Sequence, residues 1–331
     1  MSLVRRLLMV PVILLVIYTL TLTLAWAVPG SPMEHEGRRP PPEVQRALER
    51  QYNLDSFGSF YRSYLLNATG LAYLRDRWNG TLADEELRAR DRGQAPPERP
   101  VFDLGPSLQY EDWRVNEILA SSFPVSAAVG LTSIVIALAI GLSAGVIGAA
   151  RPGSWADGLS LTVALAGISL PSFVIGAALL MLPGALGIPA VGGWGTLSGL
   201  LLPAFTLSLA PAAYIARLTR MGMLEAMDSD YVRTARAKGC SERRVLLGHA
   251  LKNAFLPVLS YLGPASAMAM TGSFVVEKVF SVPGLGQHFV NAVLNKDLFL
   301  IIAVVMIYST MLILLNLAVD ALYRWADPRT A

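Results

Sequence analysis

The most informative polar segment of this 331-residue chain is residues 228–257, which lies between two hydrophobic stretches. Eight Lys/Arg and four acidic residues lie between Arg217 and Lys252. The Asp-Ser-Asp sequence at 228–230 offers oxygens that can cap the start of a helix. Gly239 can adopt the left-handed backbone that ends a helix. The pattern therefore predicts a short basic helix over 231–239.

Two uses of this helix are consistent with its residues. Arg233 and Arg236 can donate charge-assisted hydrogen bonds to a partner protein, and the small residues Ala235 and Ala237 would let a partner backbone approach closely. The alternative is an ordinary basic loop that lies on anionic lipid. In either case Ser241 is expected to cap a second helix that leads back to the membrane.

The residue types that most enzymes need are absent or scattered. None of the four lysines follows a glycine, so the chain has no Gly-Lys-Ser/Thr end of a phosphate-binding loop. Its three histidines lack metal-ligand spacing, and no Gly-x-Ser-x-Gly nucleophile motif occurs. We therefore expect no catalytic activity, no metal site and no cofactor in this chain.

The elements that must position the basic helix are membrane spans. Hydrophobic residues make up 53% of the chain and charged residues 15%, and the mean hydropathy is +0.48. A bilayer crossing needs roughly 20 apolar residues. Four charge-free runs have that length: Leu7–Val28, Phe123–Ala150, Asn253–Val276 and Leu298–Val319.

A fifth run, Gly158–Ala216, extends over 59 residues without a charge or a histidine. It is too long for one span, and prolines and glycines between Pro183 and Gly195 interrupt it. We predict two helices joined by a tight turn, with Trp194 at the membrane interface. The sequence thus predicts an all-α polytopic membrane protein with six transmembrane helices.

The distribution of basic residues predicts the orientation of the chain. In a six-span arrangement the basic groups lie on one side of the membrane. The short loops on the other side have no charge or balanced charge, as in Glu277/Lys278 and Lys296/Asp297. Both termini are therefore expected in the cytoplasm, and the first span is expected to be a retained anchor in the cell inner (plasma) membrane. The basic groups that share the cytoplasmic side in this arrangement are Arg5/Arg6, Arg151, the 217–252 segment and Arg324/Arg329.

The spans contain almost no ionisable groups. A proton-coupled carrier needs a titratable residue within the membrane, and the nearest candidate, Asp320, lies at the end of the last span. The small residues of span two are expected to let helices pack closely. A secondary carrier is therefore disfavoured. If the chain moves a solute, the energy would have to arrive through the basic cytoplasmic helix.

The residues of that helix resemble the cytoplasmic motif of ABC-importer permeases of the peptide/nickel class. The superfamily pattern is Glu-Ala-Ala, three residues and Gly, and the positions are filled here by Arg233-Thr-Ala235 and Gly239. Resemblance to the B-type permease subunit of oligopeptide and dipeptide importers covers nearly the whole chain. It includes Pro29-Gly-Ser-Pro32, Gly105-Pro-Ser107, Leu170-Pro-Ser-Phe173, Leu259-Ser-Tyr-Leu-Gly-Pro264, Val282-Pro-Gly-Leu-Gly-Gln287 and Asp327-Pro328. The chain departs from the family by an excursion of roughly thirty residues within 67–102.

This resemblance implies the type I ABC-importer permease fold, with an external insertion between helices 1 and 2. It also implies a second homologous permease subunit, two ATP-hydrolysing subunits and an extracytoplasmic solute-binding protein as partners, in a lipid bilayer and without nucleic acid. Oligo- or dipeptides are the expected substrates, with nickel or another small solute as the alternative. A secondary carrier and a membrane scaffold are further alternatives.

The predicted topology divides the chain into four parts. Residues 1–29 form the cytoplasmic N-terminus and helix 1, and residues 30–122 form an extracytoplasmic segment. Residues 123–324 form the permease core with helices 2–6 and a cytoplasmic coupling segment at 225–252, and residues 325–331 form a tail. In the external segment, Tyr52, Phe57, Phe60, Tyr61, Tyr64 and Leu65/Leu66 are expected to form either a small core or a helix packed on the membrane domain. The charged stretch 75–99 is expected to be mobile.

Two groups of site residues follow from the resemblance. The ATPase-coupling residues are expected to be Tyr231, Arg233, Thr234, Ala235, Arg236 and Gly239. Within 279–293, Pro283, Gly284 and Gly286 are candidates for an external gate, and the alternative is a simple turn between spans five and six. The substrate-binding residues are not predicted.

Overall fold

The computed structural model is almost entirely helical in the part of the chain that it describes, namely residues 3–30, 41–93, 95, 99–110, 112–185, 193–270 and 274–326. The first helices are α1 (Leu3–Ala27), α2 (Pro42–Gln51), α3 (Phe57–Ala68), α4 (Leu71–Trp78) and α5 (Thr81–Asp91). They are followed by α6 (Val115–Ala150), α7 (Trp155–Ser169), α8 (Ser172–Ala185), α9 (Leu197–Met227) and α10 (Asp230–Ala237). The last are α11 (Glu242–Arg244), a π-helical stretch (Val245–Ala250), α12 (Leu251–Met270), α13 (Phe274–Val279), α14 (Leu285–Leu294) and α15 (Leu298–Ala326).

Within these described ranges, five helices are long and apolar enough to cross a membrane. Each overlaps a predicted span, so five of the six predicted spans correspond to continuous helices. The total of six stays a prediction. The five helices are Leu7–Ala27, Val115–Ala150, Leu197–Met227, Glu242–Met270 and Leu298–Tyr323.

The remaining predicted span, the first half of the 158–216 run, is divided into α7 and α8. The two helices contain 15 and 14 residues, and the break falls at Leu170-Pro171. Pro171 has no backbone N–H, and its ring disfavours a helical conformation at the residue before it. The expected turn near residues 183–195 lies largely outside the described residues, as does most of the predicted tail at 325–331.

The chain forms two compact units, residues 1–121 with 288–309, and residues 122–287 with 310–331. The core of the first unit is aromatic, and within it α3 packs on Tyr18 of α1 and Phe299 of α15, which is the second of the two expected arrangements. Phe60 and Tyr64 are buried; the Phe60 ring lies 5.1 Å from the ring of Phe299, and Tyr64 stacks on Tyr18 at 5.8 Å. The charged stretch from residue 75 forms parts of the helices α4 and α5, and its mobility stays a prediction.

In the second unit, α7 and α12 pack along α9, and glycines of α6 permit close contacts between helices. A Cβ atom on Gly130 would lie 2.5 Å from Met270 Cα, and one on Gly141 would lie 2.7 Å from the Ala212 carbonyl oxygen. A larger side chain at either position would separate the helices. These glycines are therefore packing residues, as predicted.

Candidate functional site

The predicted basic helix is present as α10. Gly239 has φ +77°, which confirms the predicted left-handed residue after the helix. Its N–H donates to the Arg236 carbonyl at 2.9 Å, and the Cys240 N–H donates to the Ala235 carbonyl at 3.1 Å. These bonds satisfy carbonyls at the end of the helix.

The start of α10 differs from the expected capping pattern. Ser229 occupies the N-cap position but makes no side-chain capping bond within the described chain. Its hydroxyl instead donates to the Ala226 carbonyl, which belongs to the last turn of α9. Ser241 likewise occupies the N-cap position of α11 without a side-chain capping bond in this part of the chain. Both serines therefore mark helix starts without stabilising them through the hydroxyl.

One face of α10 is buried in the second unit. Val232 and Ala235 pack against Val245, with Met227 and Cys240 beside them. Ala235 is only 6% exposed. The expectation that the small side chain of Ala235 leaves room for a partner backbone is therefore wrong, because this methyl group is part of the chain's own packing.

The two candidate arginines of α10 differ in their partners. Arg236 donates from Nε and Nη2 to the two carboxylate oxygens of Glu242 at 2.9 and 3.2 Å. Arg233 forms an ion pair only with Asp230, at 3.4 Å, among the described residues, and its side chain is 71% exposed. The Arg236 pair ties α10 to α11, whereas Arg233 keeps donors available to another molecule.

The other residues of the helix complete its outer face. Tyr231 is 41% exposed, and Ala237 is also exposed. Thr234 is exposed, although its hydroxyl donates to the Asp230 carbonyl at 2.9 Å. The outer face of α10 therefore presents an aromatic ring and an available guanidinium, while its inner face is packed.

The connection between spans five and six contains the two short helices α13 and α14, so it is not a simple turn. Pro283 is exposed, whereas Gly284 and Gly286 are buried at the start of α14. A Cβ atom on Gly284 would lie 2.5 Å from Glu277 Cδ, and one on Gly286 would lie 3.0 Å from Glu277 Oε2. A side chain at position 284 would overlap the carboxylate of Glu277, whereas at position 286 it would make a tight contact with the same carboxylate.

Glu277, which was expected in a short loop of balanced charge, is only 1% exposed. Ser126 Oγ donates to Glu277 Oε1 at 2.7 Å, and the Gln287 N–H donates to Oε2 at 3.3 Å. Ser126 Oγ also accepts from the Leu285 N–H at 2.8 Å. Burial raises the pKa of Glu277, and the hydrogen bonds from Ser126 and Gln287 oppose that rise. The pair Ser126–Glu277 thus fixes the first turn of α14 to the part of α6 that carries Ser126.

Two other buried acids were also missed by reasoning from the sequence. Asp297 in the first unit is 0% exposed and accepts from Ser107 Oγ at 2.5 Å and from the Leu108 N–H at 3.0 Å. In the second unit, Arg220 donates to both carboxylate oxygens of Asp157 at 2.6 and 2.8 Å. A signal was present for each, because Asp297 and Asp157 each immediately precede a charge-free run.

These features define the chain as a multi-helix membrane protein with a short basic helix seated on its membrane helices. The model of the family described as binding-protein-dependent transport system inner membrane component matches residues 118–331. The chain therefore belongs to this family of transport proteins.

Curated relatives agree with this assignment. The chain is 39% identical over 321 residues to the oligopeptide transport system permease protein OppB of Escherichia coli strain K12, covering 96% of this chain and 94% of the relative. It is 36% identical over 317 residues to the dipeptide transport system permease protein DppB of Bacillus subtilis strain 168, covering 96% and 93%. A crystal structure of an amino acid ABC transporter with histidines matches 63% of this chain and 94% of its own, with a TM-score of 0.50 and 16% identity. That likeness shows a shared fold.

Proposed function

We propose that this chain is a permease subunit of an ATP-driven importer of oligo- or dipeptides. Relatives that align along nearly the whole chain are named for oligopeptide and dipeptide transport, which favours peptides over the nickel alternative. The chain would pair with a second homologous permease, two ATP-hydrolysing subunits and an extracytoplasmic solute-binding protein. In this proposal both termini are cytoplasmic, and residues 30–122 form the external insertion between the first two of six spans.

The exposed face of α10 is the observation that carries the energy-coupling part of the proposal. Tyr231 and Arg233 face outward, while Val232 and Ala235 fix the helix to the cluster that includes Met227 at the end of α9. A force applied to α10 by an ATP-hydrolysing subunit would therefore be transmitted to a membrane helix. Such coupling needs a rigid element that can move between two positions. In this proposal α10 and the end of α9 move together as that element.

The α13–α14 region is proposed as the external gate. Glu277 and Ser126 hold the first turn of α14 through buried hydrogen bonds. This turn would therefore move together with the part of α6 that carries Ser126. Pro283 lies exposed in the segment between α13 and α14.

Gly239→Asp tests the coupling role. No atom of the described residues lies within 4 Å of a Cβ at Gly239, so the substitution costs only backbone strain on the order of 1 kcal/mol within this chain. We expect normal insertion and pairing with the sister permease, but loss of peptide-stimulated ATPase activity in the reconstituted importer.

Gly239→Ala is the matched control for this experiment. It has the same backbone strain without the added carboxylate, so it should retain most of the peptide-stimulated ATPase activity. Full stimulation in Gly239→Asp would contradict the coupling role of α10.

A further inference from the structure

The first unit contains a cavity of about 530 Å³ that no part of the proposed transport mechanism uses. Its walls come from α2 to α5, the segment that follows Arg99, and Phe299. The cavity includes residues of the excursion within 67–102, where the sequence departs from the family. Ligand pockets in proteins commonly have volumes of about 300–1,000 Å³, so this cavity is large enough for a small molecule.

The charged groups of the cavity wall are balanced in sign, since Asp76, Arg99, Asp103 and Arg114 all line it. Arg99 Nη1 lies 3.4 Å from Asp76 Oδ2, and Arg114 Nη2 lies 2.7 Å from Asp103 Oδ1. Arg99 also lies 2.9 Å from Glu85, which is not part of the wall. The side chains of Arg99 and Arg114 are 45% and 38% exposed, and those of Asp76 and Asp103 are 18% and 30% exposed. Partly exposed ion pairs contribute modestly to stability, so a ligand with its own charges can exchange partners with them.

The charge pattern selects the class of ligand. A simple anion would be repelled by Asp76 and Asp103, and a simple cation would be repelled by Arg99 and Arg114. A neutral ligand would remove these charges from water without replacing that hydration, which is unfavourable. A zwitterion satisfies both signs, because its carboxylate can accept from a guanidinium fork while its ammonium donates to a carboxylate.

The remaining wall suits a short peptide. Asn67 and Gln51 can hydrogen-bond a peptide group, and the rings of Tyr73 and Phe299 can contact an apolar side chain.

We propose that this cavity binds the free zwitterionic form of a short peptide directly, independently of the solute-binding protein. The proposal rests on the proposed function, because it takes peptides as the transported solute and residues 30–122 as external. It assigns the excursion a role in holding peptide at the outer face of the permease.

The test is a binding measurement on the full-length chain, purified with its sister permease in nanodiscs and without the binding protein. Equilibrium dialysis would compare the tripeptide Ala-Phe-Ala with its N-acetylated, C-amidated form. We expect saturable binding of the free tripeptide and at least ten-fold weaker binding of the capped one. Equal binding of the two forms, or no binding of either, would overturn the proposal.

Two variants locate the binding site. Arg99→Gln should weaken binding of the free tripeptide at least ten-fold, whereas Arg77→Gln should leave it unchanged, because Arg77 is an exposed residue of α4 outside the cavity wall. Ser63→Trp should abolish binding by filling the cavity without changing its charge. Thermal unfolding of each variant shows whether it is folded, and undiminished binding by a folded Ser63→Trp would exclude the cavity as the site. The comparison of free and capped peptides needs no variant and tests the charge requirement even if a variant does not fold.

Uptake by the reconstituted importer with its binding protein separates the two proposals. Peptide uptake without tripeptide binding by the permease pair would leave the proposed function standing and exclude the cavity site. Tripeptide binding without peptide uptake would support the cavity site and count against the proposed function.

Discussion

Asp297 is a buried carboxylate that joins a loop to a helix in the first unit. It accepts from Ser107 Oγ at 2.5 Å, and it also accepts from the Leu300 N–H at 3.2 Å in the first turn of α15. Burial raises the pKa of Asp297, and the bonds from Ser107 and Leu300 oppose that rise. The side chain thus connects the segment around Ser107 to the start of α15.

Asp297→Ala is therefore expected to destabilise the protein. It leaves buried donors of Ser107 and Leu108 without an acceptor, which costs about 1–3 kcal/mol per unsatisfied group. Asp297→Asn keeps one acceptor oxygen and should therefore lower the stability less than Asp297→Ala does. The measurement is the unfolding temperature of the purified permease, with Asp55→Ala as control because Asp55 is exposed. An unchanged unfolding temperature in Asp297→Ala would contradict this role.

Gly105 is required for two reasons that a matched variant can separate. It has φ +83°, and a Cβ atom there would overlap the Phe299 ring. Gly80 has a similar φ of +77°, but no atom of the described residues lies within 4 Å of its Cβ position. We expect Gly80→Ala to cost about 1–2 kcal/mol from backbone strain and Gly105→Ala to cost about 1–3 kcal/mol more from overpacking. Equal unfolding temperatures for the two variants would show that the Phe299 contact is unimportant.

The short helices carry the candidate sites of this protein. α10 is held by Val232 and Ala235 on one face, and the start of α14 is held by Glu277 and Ser126. Helices this short are marginal by themselves in water. Their positions therefore depend on packing against the long helices, which is what would let them transmit movement.

Gly284→Ala is expected to disturb the proposed gate. Its Cβ would lie 2.6 Å from Ser126 Oγ as well as 2.5 Å from Glu277 Cδ, so these two side chains would have to shift and their hydrogen bonds to the first turn of α14 would be disturbed. We expect peptide uptake to fall at least ten-fold while basal ATPase activity of the importer remains. Gly158→Ala is the control, since no described atom lies within 4 Å of its Cβ position. Wild-type uptake by a folded Gly284→Ala importer would argue against a gate at this position.

The proposed orientation of the whole chain in the membrane can be checked by chemical labelling. In a Cys240→Ser background, a cysteine at the exposed Asp55 should react with an impermeant thiol reagent added outside the cell. A cysteine at the exposed Lys238 should react only after the membrane is made permeable. Ser107 is unsuitable as a reporter, because it is buried and bonded to Asp297. The opposite labelling pattern would reverse the orientation and remove α10 from the cytoplasm.

The long helices and the end of α10 could be predicted from the sequence alone. Charge-free runs of about 20 residues mark membrane spans, because a charge in the bilayer is costly. Gly239 ends α10, because glycine adopts a positive φ without a steric penalty. These properties depend on residues that are neighbours in the chain, so local patterns contain them.

The burial of polar residues and the identity of their partners became visible only in the folded chain. Glu277 and Asp297 have the sequence context of loop charges, yet each is enclosed by donors that include Ser126 and Ser107, more than 100 positions away. Likewise, Ala235 belongs to the chain's own packing and not to an open surface. Burial and hydrogen-bond partners are set by segments that folding brings together, and hydrophobic patterning within one segment does not contain that information.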